Sequence, residues 1–365
     1  MFEILAINPG SISTKVAVFE DERAVLTEKI SHSSEEMGFF DGVIDQFSFR
    51  RDLICKILSQ KGFNLSKIHA VVGRGGLLRP IEGGTYCVDE EMLEDLESCK
   101  YGEHASNLGG IIAYAIGQEL GVPSFVVDPV VVDEMVAMAK FTGFPQIERR
   151  SVFHALNQKA IARRSAAELG KDYETSNFIV AHLGGGITVG AHRKGKVIDV
   201  VNGLDGEGPF SPERSGKLPV AEVAKMCFSG NYSWEEIRKM IVGDGGMMAH
   251  LGTKDAREIR RFLEEGDERA GLLFEAMAYQ VAREIGACAA TLAGEVDAIA
   301  ITGGLAYDQG FVEWIKQRVS FIAQVLVFPG EDELLALAQG ALRVLKGTEE
   351  PKRYGKGFGD TEIAS

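Results

Sequence analysis

The chain has 365 residues, a formal net charge of −14, 45% hydrophobic residues and 25% charged residues. Those proportions are ordinary for a globular chain and the length suits two domains, while the acidic balance argues against a nucleic-acid partner, which would want a basic face. No apolar run reaches the ~18 residues of a membrane span, Met1 leads straight into a strand, and five cysteines without a C-x-x-C pair suit a reducing compartment, so a cytoplasmic protein with no membrane partner is expected.

In chain order, strand patterns over 2–8, 13–20 and 24–31 predict a three-stranded meander. A helix is expected near 41–60, a strand at 68–73, helices at 89–98 and 105–120, and a buried strand over 124–132. Strands separated by helices imply parallel crossovers and an α/β fold. The stretch 144–170 reads as a long helix with Ser151 as its N-cap. A second meander starts at Asn177. Helices follow near 219–228, 233–242 (with a Ser233/Glu236 capping box), 254–265 and 267–293. A strand in "VDAIAITGG", a helix at 309–320, the strand "AQVLVFPG" and a helix at 332–346 close the pattern. The polar tail from Gly347 is expected to fray. The domain junction is placed near 145–152, giving a first domain over 1–150, completed by the C-terminal helix 335–350, and a second over 151–334.

Two turns carry the chemistry. "ILAINPGSISTKVAVFED" and "IVAHLGGGITVGAHRKG" are both strand–turn–strand. A shift of 175 positions sets Ala6 on Ala181, Gly10 on Gly185, Ile12 on Ile187 and Ser13 on Thr188, which suggests a duplicated unit. Three glycines in one turn, Gly184, Gly185 and Gly186, exceed what a hairpin needs. They let another molecule approach the backbone, whose N–H groups then point at it. The first turn adds Asn8, Ser11, Ser13 and Lys15. A third element, Gly303-Gly304 between a strand and a helix, offers a helix N-terminus to a nucleoside. No P-loop or G-x-G-x-x-G fingerprint is present.

These elements together resemble the sugar kinase–actin–heat-shock ATPase superfamily. The resemblance implies two duplicated ribonuclease-H-like (actin-like ATPase) domains with a nucleotide cleft between them. "INPGSISTK", "RRSVFHALNQKA", "AHLGGGITVGAH", "PERSG", "TKDAR", "ITGG" and "PGEDELLALAQGA" run in the order of the acetate/butyrate kinase family and span nearly the whole chain. The resemblance implies ATP/ADP as co-substrate and Mg²⁺ held by Asn8 and Glu333, with Glu331 the alternative acid. It further implies Ser11, Ser13 and Lys15 on the phosphates, and Arg74 and Arg214 around the substrate carboxylate and the transferred phosphoryl. Asp128 would orient that group and His154 would donate to phosphoryl oxygens. His182, Gly184, Gly185 and Gly186 would take the nucleotide phosphates, Asp255 and Arg257 the nucleoside, and Gly303 and Gly304 its other side. Phe153 is the one expected pocket wall.

A carboxylic acid is already ionised at neutral pH, its pKa being ~4 to 5, so a kinase acting on it needs cations rather than a carboxylate base. Departures from acetate kinases fall at "VVGRGGLLRPIEGG", which leaves Arg74 and Arg79 as rival substrate arginines. Others fall at "EHASNLGG", where His104 alone matches, at Gln158 and at "GGLAYD". They resemble the butyrate or branched-chain fatty-acid kinase branch. The expected activity is therefore transfer of the ATP γ-phosphoryl group to butanoate or a similar short-chain acid, with acetate or propionate as the alternative. A non-metabolic ATP-switch protein of the superfamily is the reading from a different class. Relatives with this resemblance associate, so a homo-oligomer is expected.

Overall fold

The computed structural model describes residues 1–355. The chain forms two compact units, one of Met1–Asp133 together with the segment from Asp332, the other Glu134–Glu331.

The first unit opens with β1 (Glu3–Pro9), β2 (Ser13–Glu20) and β3 (Arg23–Ser31), an antiparallel meander. β4 (Ala70–Arg74) lies parallel to β1, and β6 (Ser124–Val127) lies parallel to β4. β5 (Thr85–Cys87) runs antiparallel to β6. Helices α1 (Phe47–Gln60) and α2 (Asn107–Leu120) cover the sheet, and their apolar faces meet Leu5, Ile7, Val16, Val18 and Val71 in one core.

The second unit begins its regular structure with α3 (Ala155–Glu168). β7 (Asn177–Leu183), β8 (Ile187–Arg193) and β9 (Lys196–Val200) repeat the meander. α4 (Ala256–Glu264) and α5 (Glu268–Thr291) precede β10 (Ala298–Gly303) and β11 (Val325–Pro329), which add parallel strands beside β7. α5 buries Phe274, Met277, Ala278, Val281, Ala282, Ile285 and Cys288, a three-to-four spacing that turns one stripe toward the core. Leu272, on its other side, is 71% exposed.

The duplication is visible as topology. The order β3-β2-β1-β4-β6 in the first sheet matches β9-β8-β7-β10-β11 in the second, with the same pattern of antiparallel and parallel pairs. Each meander also carries a register irregularity in its second pairing, at Val18/Phe19 and at Ala191/His192. The single shift of 175 positions does not survive. Ile7 pairs with Val16, whereas His182, 175 positions after Ile7, pairs with Thr188, which is 172 positions after Val16. The turns differ in length, with residues 10–13 in one and 184–186 in the other.

Several expected boundaries are corrected. Ser151 does not cap α3; the helix starts at Ala155 with His154 in the cap position, because residues 144–153 run in turns and extended backbone. The strand expected over 124–132 stops at Val127. Residues 134–150 belong to the second unit, which moves the junction from 145–152 to the bond after Asp133. The cause is hydrogen bonding. Val136 N–H donates to Ile198 O at 3.0 Å, Arg149 pairs with Asp199 at 2.9 Å, and the buried Lys159 Nζ sits 2.9 Å from Glu134 Oε2. The final helix, α6 (Glu333–Leu345), packs in the first unit, where Gly340 lets it lie against Val127.

The tail does not fray at Gly347. β12 (Lys352–Arg353) pairs with β5, and Tyr354 is buried. The Tyr354 hydroxyl donates to Asp95 at 2.8 Å and its ring receives the Arg79 guanidinium at 4.2 Å. The remainder of that tail lies outside the described residues. Among the described residues no helix is long and apolar enough to cross a membrane.

Candidate functional site

In the first unit the C-terminal ends of three adjacent strands deliver polar side chains, the edge where open α/β sheets keep their ligands. β1 ends near Asn8, β4 on Arg74, and Asp128 follows β6. Asn8 is buried, and its Nδ2 donates to Glu333 Oε2 at 2.5 Å. Arg74 forms an ion pair with the other oxygen of Glu333 and lies 3.5 Å from Asn8 Oδ1. The two residues assigned to Mg²⁺ are thus in contact, and a substrate-assigned arginine shares their carboxylate. Glu331 is not part of that group; in the second unit its Oε1 lies 3.1 Å from His182 Nε2.

Arg79 is committed elsewhere. It pairs with Glu91 at 2.8 Å, its amide donates to the Tyr354 hydroxyl at 3.1 Å, and its guanidinium bonds to Tyr354 O. Its role is to hold the C-terminal tail. His104 accepts from or donates to Ser106 at 2.8 Å, and desolvation, then the nearby Arg74 charge, lowers its pKa below the usual histidine value. Asp128 is buried with φ at +38°, a left-handed conformation that is rare for aspartate. Its Oδ1 accepts the Gly84 N–H at 2.6 Å, while its own N–H donates to Gly84 O at 3.1 Å. The strained backbone is held by that two-way bond.

The first turn is shaped from behind. Ser11, Ile12 and Lys15 point to solvent, and Ser13 is half-buried. Beneath them lies Arg50, 1% exposed, whose Nη1 donates to Gly10 O at 2.8 Å and Thr14 Oγ1 at 3.0 Å.

The second unit brings His154, His182, the glycine turn and Arg214 together. His154 and His182 stack with ring centroids 3.8 Å apart. His154 Nδ1 lies 2.9 Å from Thr188 Oγ1, and His182 Nδ1 lies 2.8 Å from Asn157 Oδ1. Arg214 rests on the turn. A Cβ built on Gly186 would stand 2.0 Å from its Nη1, so a larger residue there would have to push the end of the arginine aside. Arg214 Nη1 donates to Gly203 O, and Ser211 Oγ donates to Gly185 O at 2.6 Å, tying the 203–219 loop to the turn. Among the described residues the Nε of Arg214 is buried without a partner, and no acid pairs with its guanidinium. Burial lowers its pKa, opposed by Glu213, whose own Oε2 is taken by Lys254 at 2.7 Å.

Gln158, where the resemblance expects a second histidine, connects two elements of the core. Its Nε2 donates to Thr188 Oγ1 at 2.8 Å, and its Oε1 faces His192 Nε2 at 3.1 Å. His192 is fully buried with Tyr173 OH 2.9 Å from its Nδ1. Burial, then Lys159 and Arg163, holds the His192 pKa well below its ordinary value. The unfolded histidine therefore binds a proton that the folded one rejects, and stability falls as pH drops below ~6.5. Both tryptophans, Trp234 and Trp314, lie in the second unit and report on it. Their denaturant midpoint is expected to fall between pH 7 and 5 with a slope of up to ~1.4 kcal/mol per pH unit from this group. His192→Asn should flatten that slope; an equal slope in the variant would contradict the assignment.

Asp255 caps α4, and Arg257 turns back onto it at 2.7 Å. That side-chain bond lowers the Asp255 pKa to about 2. Arg257 is 92% exposed. Gly303, with φ at +95°, meets the Leu183 backbone so closely that a Cβ would lie 2.4 Å from its carbonyl oxygen. Gly304 faces open space. The two glycines lie between a strand and the helix expected at 309–320; a 3₁₀ turn, Gly304–Tyr307, precedes Asp308, which caps that helix, Gln309–Val319. Phe153 is buried beside the start of α3.

Arg50 and the Asn157, Thr188 and Gln158 network were not found from sequence. Arg50 reads there as one of two adjacent arginines on a helix of mixed polarity, with no motif to mark it.

The two sheets and their helices define an α/β protein with a duplicated actin-like ATPase fold. Residues 145–322 match the model of the Acetokinase family. Acetate kinase from Porphyromonas gingivalis shares the fold with a TM-score of 0.80 at 21% identity, over 94% of this chain and 100% of that one. A propionate kinase from Francisella tularensis subsp. tularensis SCHU S4 gives 0.72 at 20% identity, over 93% and 99%. Acetate kinase from Entamoeba histolytica gives 0.73 at 18%, over 93% and 98%. The matched segment is similar to the acetokinase family, and the fold extends the likeness over nearly all of the chain. Together they support an ATP-dependent carboxylate kinase.

Proposed function

We propose that the chain transfers the γ-phosphoryl group of ATP to butanoate or a branched short-chain acid, reversibly and by direct in-line displacement. A carboxylate oxygen forms the new bond to the γ-phosphorus as the bond to the β–γ bridging oxygen breaks and ADP leaves. No proton moves, so no general base is required.

The observation that carries this reading is Arg214. A part-buried guanidinium with an orphan Nε and no acid partner is costly unless an anion completes it. Its position on the Gly184, Gly185 and Gly186 turn makes a phosphoryl oxygen the fitting anion. His154 adds a ring nitrogen beside that turn, and His182 beneath it is fixed by Asn157 and Glu331. We assign the glycine turn and His182 to the nucleotide phosphates, Gly303, Gly304, Asp255 and Arg257 to the nucleoside, and Ser11, Ser13 and Lys15 to the phosphates from the first unit. Arg74 is assigned to the substrate carboxylate, oriented by the strand ends that Asp128 locks, and Phe153 to the pocket wall.

Asn8 and Glu333 would hold Mg²⁺. Their amide and carboxylate oxygens are the hard donors that ion takes, with phosphates and water completing the shell. When bound it would neutralise charge on the departing phosphates. The Asn8 and Arg74 bonds keep the Glu333 carboxylate oriented.

Butanoate is preferred over acetate because the sequence departs from acetate kinases at Arg79, Gln158 and the 303–308 loop. The first two of these serve packing here, in the tail and in the core network. Each additional buried methylene is worth ~0.8 kcal/mol, or about fourfold. Relative kcat/KM is therefore expected to rise about fourfold per carbon from acetate to butanoate, measured with hydroxylamine trapping of the acyl phosphate. A maximum at acetate or propionate would shift the assignment to those acids; no hydroxamate from any short-chain acid would overturn it.

A further inference from the structure

Arg50 is a buried cation that the reaction scheme does not use. It lies on α1, is 1% exposed, and forms no ion pair among the described residues. All its partners are neutral. Nη1 donates to Gly10 O at 2.8 Å, to Thr14 Oγ1 at 3.0 Å and, weakly, toward Ser13 O at 3.5 Å. Nη2 donates to Ser11 O at 3.3 Å and Gln46 Oε1 at 2.8 Å, and Nε donates to Gln46 Oε1 at 3.0 Å. The remaining carbonyl of the turn, Ile12 O, accepts from His32 N–H at 2.9 Å. Gly10 O and Ser11 O are thereby drawn toward the buried guanidinium, while Ser13 O accepts the Gly10 N–H across the turn at 2.7 Å.

Two consequences follow. With Gly10 O and Ser11 O held from beneath, the opposite side of the turn is left to its amides, and among the described residues the N–H groups of Ser11 and Ile12 donate to nothing. Consecutive free amides of this kind form an anion-binding concavity. The guanidinium charge is also uncompensated and shielded from water, so its field reaches the turn with little screening. His32, which faces Thr14 Oγ1 at 2.9 Å, cannot supply that charge, because burial and then Arg50 itself lower its pKa. Glu36 is the acid acting on His32 from the neighbouring helix, and it is occupied in the Ser33 capping box.

We infer that Arg50 is a positioning residue for the nucleotide: it moulds the 10–13 turn into a polyphosphate cradle and charges that cradle from beneath, without touching the ligand. This rests on the carboxylate-kinase reading and adds a specificity element to it. The acceptor acid should not sense Arg50.

Three proteins test it: wild type, Arg50→Gln and Arg50→Lys. Arg50→Gln keeps a short polar side chain and loses the charge. It should raise KM for ATP about tenfold or more, with KM for the acid within twofold and kcat reduced less than KM is raised. Arg50→Lys should recover part of the ATP affinity, since it restores charge without the fork. Direct binding of inorganic tripolyphosphate should weaken in the same order, and its salt dependence should be shallower in Arg50→Gln. If Arg50→Gln does not fold, Arg50→Lys alone decides, with an ATP KM at least threefold above wild type expected. ATP KM and tripolyphosphate affinity within twofold of wild type in a folded variant overturn the inference while leaving the kinase reading intact. Wild-type protein that binds ATP and tripolyphosphate but traps no acyl phosphate sinks the kinase reading and leaves Arg50 to be judged on binding. Wild type that binds neither overturns both.

Discussion

Arg214→Ala is expected to lower kcat by about 10² to 10³ while the far-ultraviolet circular dichroism and melting of the protein stay near wild type. The magnitude is that of removing one preorganised donor from the developing charge of a transition state. The unchanged fold follows from the site itself. The guanidinium makes one hydrogen bond, to Gly203 O, and leaves its Nε unsatisfied, so its removal relieves a burial cost as it loses a contact. Arg214→Lys should recover little, because an ammonium cannot present two parallel N–H groups to a phosphoryl. Gly186→Ala is a steric counterpart. Its Cβ would occupy the guanidinium position, so activity should fall in the same direction with the arginine still present. Steady-state kinetics with hydroxylamine trapping measures both; Arg214→Ala with wild-type kcat removes this arginine from the mechanism.

Lys159→Met and Glu134→Leu, made singly, are each expected to destabilise the second unit by about 3 to 5 kcal/mol, and the double variant should recover most of the loss. Both side chains are nearly inaccessible, at 2% and 3%. Lys159 Nζ spans the two carboxylate oxygens at 3.0 and 2.9 Å and adds Gly195 O at 3.0 Å, while Glu134 Oε2 also accepts the Val197 N–H at 2.7 Å. Deleting either partner strands a charge away from water, whereas deleting both leaves two apolar chains of similar bulk. Urea denaturation followed by tryptophan fluorescence reads this unit, since both indoles lie in it. Additive losses in the double variant would show that the two residues are not coupled. The pair also fixes where the second unit begins, because it binds residue 134 to α3 and to the start of β9.

Some of the candidate grouping was legible without coordinates, where it depends on residue type and local spacing. Asn8, Arg74 and Glu333 come together, as do His154, His182 and the glycine turn. The choice between Arg74 and Arg79 was not legible. Arg74 ends a short strand and Arg79 follows it by five residues, and only the docking of Tyr354 and Glu91 occupies Arg79. Gly186 is expected from sequence to let another molecule approach the backbone; in the structure the side chain beside it is Arg214, 28 positions later in the chain. Arg50 was invisible for a related reason. An arginine on a helix is normally a solvated side chain, and its burial depends on a hairpin 40 residues away.

By itself the sequence determined the alternation of strands and helices, the doubling of the meander and the acid-poor, glycine-rich character of the turns, all of which follow from local periodicity and backbone preference. Tertiary packing alone decided the unit boundary at Asp133, the start of α3 at Ala155, the burial of Tyr354 and the choice of which arginines are left with unpaired charge. Those outcomes depend on which distant carbonyl or carboxylate reaches a given side chain first, and sequence spacing carries no record of that competition.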